Sequence, residues 1–184
     1  MGDIKVTFSK PRDVFRYEAL LRRTLQNNGI QGYPWRHAIF DVNLTLLREG
    51  TLIPGARELV RSLRDATQLE TVEVIGTRDY DLKIVQAEFT DLPIDNFSRT
   101  DFGKVDLAQR LGFLLVVEDG HGAFETGNIE IRCAEEENPL NYLVWTIGIP
   151  PRIAHYGYST RVVEEIARNS LEVFRFLDQV LHGS

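Results

Sequence analysis

The chain has one cysteine, Cys133. No internal disulfide can form, so stability has to come from a packed core, and such usage fits a reducing compartment. Long apolar runs are also missing. No segment approaches the roughly 20 apolar residues of a membrane-spanning helix, and the N-terminus lacks the apolar stretch of a secretory signal. These absences lead us to expect a soluble, cytoplasmic protein with no membrane partner. Excess positive charge is absent as well: 21 Lys and Arg against 27 Asp and Glu give a net charge of −6. That balance argues against broad nucleic-acid binding through charge and leaves room only for a local basic patch. There are no internal repeats and no low-complexity tract.

What is present is globular. The 184 residues are 43% hydrophobic and 26% charged, enough for one domain over residues 1–184 with a full-sized core, about 37–150, and appendages. The first appendage is an expected helix over about 10–28, with Ser9 as cap, Pro11 in its first turn and a stripe of Val14, Tyr17, Leu21 and Leu25. Ala38-Ile39-Phe40 reads as a buried strand ending at Asp41. Pro54-Gly55 opens a helix whose apolar face is Ala56, Leu59, Val60 and Leu63. The β-branched segment Thr71 to Gly76 is the next strand, Asp79 to Phe89 a helix, and Lys104 to Leu111 another helix. Phe113 to Val117 is a continuous apolar run, the mark of a strand buried on both faces. Ile129 to Ile131 and Tyr142 to Ile147 are further strands. A closing helix spans about 160–181, with Val163, Ile166, Ser170, Phe174, Leu177 and Leu181 facing inward.

Strands alternating with helices imply a parallel sheet covered on both sides. In such sheets ligands bind at the carboxyl ends of the strands. Asp41, Thr77 and the pair Glu118-Asp119 each fall just past an expected strand end, and Lys104 opens a helix that feeds one. Each has a bland alternative: Asp41 as a turn residue, Thr77 as a strand terminator, Glu118-Asp119 as an exposed acidic turn, Lys104 as a surface lysine. A lysine in a helix's first turn opposes the helix dipole by about 0.3–1 kcal/mol, which favours a purpose beyond the helix.

Together the segments FDVNLTLL, VIGTR, FGKVDLAQRLG and LLVVEDG, in that order, resemble the haloacid dehalogenase (HAD) superfamily of aspartate-nucleophile hydrolases over about residues 38–119. The resemblance implies a HAD-like, Rossmann-like three-layer α/β sandwich with a mainly parallel central sheet, extended here by N- and C-terminal helices. It also implies a Mg²⁺-dependent phosphohydrolase. Asp41 would be the nucleophile that becomes an aspartyl phosphate. Asp119, Asp41, the backbone carbonyl of Asn43 and Glu118 would hold Mg²⁺. Thr77 would donate to a phosphoryl oxygen, and Lys104 would neutralise developing charge. Thr45 would orient the nucleophile loop, although packing explains it equally. Arg78 would either reach the substrate or face solvent.

The chain departs from the family pattern at Asn43, where the resembling enzymes carry a second aspartate. An amide cannot protonate the leaving oxygen or activate water, so binding should survive while turnover falls about 10²–10⁴-fold. The rival readings are a non-catalytic phosphate-binding or partner-binding domain on the same scaffold, and a plain Rossmann-like interaction module. The short spans from Asp41 to Thr77 and from Thr77 to Lys104 leave no room for a large cap. An open site suits a macromolecular phosphorylated substrate, or a roof lent by a second subunit of a homo-oligomer. Gly120, His121, Gly122 and Gly127 read as a loop, Glu135 to Glu137 as a solvated turn, and His155, Tyr156 and Tyr158 as a loop or a binding surface.

Overall fold

The computed structural model describes residues 4–8, 36–99, 114–119, 129–133, 143–149 and 151–182. In chain order its strands are β1 (Ile4–Phe8), β2 (His37–Asp41), β3 (Leu47–Arg48), β4 (Thr51–Leu52), β5 (Thr71–Gly76), β6 (Asn96–Arg99), β7 (Leu114–Glu118), β8 (Ile129–Cys133) and β9 (Leu143–Gly148). The helices are α1 (Ala56–Thr67), α2 (Asp79–Glu88), α3 (Pro151–Tyr156) and α4 (Thr160–His182). The expected helices over 10–28 and 104–111, and the loops around Gly120 to Gly127 and Glu135 to Glu137, lie outside the described residues.

Seven strands form one sheet in the order β1-β8-β9-β7-β2-β5-β6, and β3 and β4 pair as a separate hairpin. The five strands β9-β7-β2-β5-β6 run parallel. β8 joins antiparallel to β9, and β1 antiparallel to β8. The sheet therefore reaches past the 37–150 span, since Ile4–Phe8 forms its edge. That strand alternates apolar and polar residues (Ile-Lys-Val-Thr-Phe), a weak signal beside the helix-start pattern of Ser9 and Pro11 in the sequence that follows.

One face of the parallel region carries the described helices. Ala38, Phe40, Val72, Val74, Leu115 and Val117 pack there with Leu59, Val60 and Leu63 of α1, Leu82 and Val85 of α2, and Val163, Ile166 and Phe174 of α4. The spacing of these helix positions is the i, i+3, i+4, i+7 pattern of a helix with one buried stripe. Each fully buried Leu, Ile, Val or Phe contributes about 1.5–3 kcal/mol before the entropy of ordering is subtracted. Ile39, Ile75 and Val116 occupy the opposite pleat face and are buried as well. Burial on both faces explains why β2 and β7 read as apolar runs rather than as alternation, while β5 interrupts that second face with the half-buried Glu73. Thus the described residues give a mainly parallel α/β sheet and one helical layer.

Two short connections decide the shape of the carboxyl edge. β3 and β4 meet through Glu49 and Gly50, both at positive φ (51° and 74°), as a two-residue type I′ hairpin requires. α3 begins at Pro151, a residue well suited to a first helical position because its missing N–H is not needed there. It closes on Gly157 at φ 88°, whose N–H bonds Ile153 O at 2.7 Å. Without its side chain, Gly157 can press against Pro54, and Tyr158 N then bonds Pro54 O at 2.6 Å.

Candidate functional site

The parallel register brings three strand ends level. Asp41 on β2 is opposite Ile75 on β5, and Phe40 is opposite Val117 on β7, so Glu118 stands level with Asp41 on the other side. Neighbouring strands lie about 4.8 Å apart, and residues level in a parallel pair project from the same face. Asp41 and Glu118 accordingly share the Ile39–Ile75–Val116 face at the carboxyl edge, and both are half-buried. Thr77 and Asp119 each follow the last residue of their strand, Thr77 exposed and Asp119 half-buried. Asp41, Thr77, Glu118 and Asp119 are thus gathered at one edge of the sheet. Lys104 lies outside the described residues.

The loop after Asp41 is tightly closed by its own backbone. Val42 O accepts from Leu46 N at 2.9 Å and Leu47 N at 2.8 Å, and Leu44 N donates to Leu47 O at 2.8 Å. Asn43 makes an isolated bridge to Leu47, and Leu44 sits at φ 56°. A non-glycine residue in that left-handed region costs about 1–3 kcal/mol and persists only where its surroundings enforce it, commonly at functional sites. Asn43 is exposed and Thr45 fully buried. Gly76 closes β5 against this loop: a Cβ there would lie 3.2 Å from Val42 Cγ2.

Thr45 shows an unexpected division of labour. Its hydroxyl, the group expected to orient the loop, is buried and has no hydrogen-bond partner among the described residues. Its carbonyl is the held group, accepting from Tyr158 Oη at 2.6 Å across 113 residues of sequence. Burial pushes the Tyr158 hydroxyl far above the ordinary tyrosine range, and the negative charge of Asp119 adds to the effect. Tyr158 therefore shares a neighbourhood with both the loop and the acid that follows β7. Sequence reasoning placed Tyr158 in a loop or a binding surface. Tyr158 does lie in the connection between α3 and α4 that Gly157 signals, but it is buried there rather than offered as a surface.

Arg78 is exposed and stands at the N-cap position of α2, where its carbonyl accepts from Leu82 N at 3.2 Å. Asp79 and Asp81 fill the first turn of that helix, the favourable sign for its dipole. Asp79 also pairs with Arg99 at 3.3 Å on the surface, a contact worth little by itself.

A cleft of about 350 Å³ lies between the β3–β4 hairpin (Arg48, Glu49, Thr51) and α3 (Ala154, His155). None of the carboxyl-edge acids lines it, so it is not the candidate site. Among the described residues, no group of three or more His, Cys, Asp and Glu is placed to hold one metal ion. A Mg²⁺ site does not demand such a group, because one or two carboxylates with waters and ligand oxygens suffice. The donor chemistry of Asp41, Glu118 and Asp119 fits that hard cation.

No protein-family model, curated protein or solved structure matches the chain. Its class rests on its own architecture: an α/β protein with a mainly parallel sheet and acids at the sheet's carboxyl edge.

Proposed function

We propose that the protein is a Mg²⁺-dependent phosphohydrolase of HAD type, acting on phosphomonoesters through an aspartyl phosphate, with turnover lowered by Asn43. The observation that carries this reading is the register across β2 and β7. Taken in chain order, the five parallel strands lie 5-4-1-2-3 across the sheet, and the order reverses between β2 and β7. Crevices of this kind, outside the carboxyl ends at the reversal, are where open α/β sheets bind ligands. Asp41 and Glu118 flank that point.

In this reading a carboxylate oxygen of Asp41 attacks phosphorus, a new P–O bond forms, and the bond to the leaving alcohol oxygen breaks. Water then cleaves the acyl phosphate, releasing inorganic phosphate and restoring Asp41. When bound, Mg²⁺ supplies the charge neutralisation that lets a carboxylate approach a phosphoryl group. Thr77, exposed past β5, donates its hydroxyl to a phosphoryl oxygen. Lys104 offsets the charge of the nucleophile. Asn43 can hydrogen-bond the ligand, but it supplies no proton to the leaving oxygen and takes none from water. Little roof is needed over the edge, which suits a macromolecular phosphorylated substrate or one covered by a second subunit.

A second reading, a binding-only domain on the same scaffold, is favoured by the amide at Asn43 alone. The two part on one experiment. Titration of the protein with trifluoroberyllate, with and without Mg²⁺, tests the site common to both, and absence of Mg²⁺-dependent binding removes both. Phosphatase assays on the Asn43→Asp variant then separate enzyme from binder.

A further inference from the structure

Resting on the phosphoryl-site reading, we infer that Tyr158 is a positioning residue. Its buried hydroxyl, bonded to Thr45 O, holds the Val42–Leu46 loop in the shape that aims Asp41 and the Asn43 carbonyl at the ligand. Three observations meet there. The Tyr158–Thr45 bond, at 2.6 Å, is buried, so water does not substitute for it readily. Tyr158 is fixed from behind: its N–H bonds Pro54 O at 2.6 Å, and a Cβ on Gly55 would strike the Tyr158 carbonyl oxygen and sit 2.8 Å from its Cβ. The segment it holds includes Leu44 at φ 56°, a conformation that relaxes unless something outside the loop maintains it.

The chain thereby connects two ends of the site. The loop follows β2, the acid Asp119 follows β7, and Tyr158 lies between α3 and α4, close enough to Asp119 to feel its charge. A tyrosine is suited to this place because it donates one hydrogen bond while its ring fills apolar space. Tyr158→Phe removes the donor and keeps the ring.

The test compares wild type, Tyr158→Phe and the core control Val60→Ala for Mg²⁺-dependent trifluoroberyllate affinity, with amide hydrogen exchange read at Leu46 and Leu47. We expect Tyr158→Phe to bind about tenfold more weakly, the scale of one lost buried hydrogen bond, with faster exchange at both amides. Val60→Ala should lose stability without losing affinity, which separates positioning from general destabilisation. An osmolyte keeps a weakened variant folded during the measurement. Equal affinity for wild type and Tyr158→Phe overturns the positioning role while leaving the phosphoryl site standing. Failure of wild type itself to bind removes both.

Discussion

Gly157→Ala should destabilise the protein by more than any backbone preference explains. Gly157 has φ 88°, and a left-handed alanine costs about 1–2 kcal/mol. Its Cβ would also stand 2.8 Å from both Cβ and O of Pro54, against about 3.5–4.0 Å for comfortable contact between carbons. Neither a proline ring nor a carbonyl bonded to Tyr158 N can step aside cheaply, and overpacking of this kind costs about 1–3 kcal/mol. The sum is about 2–5 kcal/mol, a large share of the about 5–15 kcal/mol that typically holds a domain. Gly50→Ala is the internal control. Its φ is similar at 74°, yet the nearest atoms to a Cβ there are 3.9 Å away, so about 1–2 kcal/mol is expected. Urea unfolding followed by circular dichroism reads both. With a slope of about 2 kcal/mol/M, the midpoint should fall by about 1–2.5 M for Gly157→Ala and by about 0.5–1 M for Gly50→Ala. Losses equal within about 0.5 kcal/mol would refute the steric part of the reasoning, and with it the claim that the Pro54–Gly157 contact seats Tyr158.

Other outcomes follow from the same geometry. Asn43→Asp should raise Mg²⁺-dependent hydrolysis of p-nitrophenyl phosphate by about 10²–10⁴-fold; a flat rate on this and other phosphomonoesters would end the enzyme form of the reading. Asp41→Asn, checked as folded by circular dichroism, should abolish trifluoroberyllate binding in calorimetry, and retained binding would move the nucleophile elsewhere. Tyr158 predicts an alkaline signature. Its folded pKa is raised, so its contribution is complete below the unfolded value of about 10 and declines at about 1.4 kcal/mol per pH unit above it. Chemical denaturation between pH 8 and 11.5 should show wild type losing its advantage over Tyr158→Phe in that window, and a constant difference would contradict it.

The parallel core could be read from sequence because its signals are local. β2 and β7 are short, mainly apolar runs, β5 is rich in β-branched residues, and α1 carries its stripe at Ala56, Leu59, Val60 and Leu63. Strand ends are equally local, so Asp41, Thr77 and the Glu118-Asp119 pair could be assigned to the carboxyl edge before any topology was known. Register was not available in this way: that Asp41 stands level with Glu118 depends on which strands pair, and β2 and β7 are far apart in the chain. Tyr158 was hidden for the same reason, since its hydrogen bond spans 113 residues and nothing within a few positions of it reports the partner. β1 and α3 escaped for a different cause. Each is five or six residues long, too short for periodicity to outweigh the stronger helix and turn signals beside it.

The loop geometry also bears on what Asn43 is for. Among the described residues, the bonds seen within the turn use main-chain atoms or Tyr158: Val42 O with Leu46 and Leu47 N, Leu44 N with Leu47 O, and Thr45 O with Tyr158 Oη. None of them uses the side chain at position 43, which is exposed. An aspartate, nearly isosteric with asparagine, should therefore fit the loop's shape, and the exposed new carboxylate should lower stability by no more than about 1 kcal/mol through like-charge repulsion with the neighbouring acids. The fold does not require the amide. The exchange leaves the loop's shape alone but adds both a negative charge and a group that can give or take a proton. A rate gained by Asn43→Asp therefore reports acid–base chemistry only if its pH profile shows the titration of the new carboxyl. A urea midpoint lowered by no more than that repulsion allows, measured beside the rates, would establish that the loop is unchanged; a larger difference would mean that the amide has a structural partner.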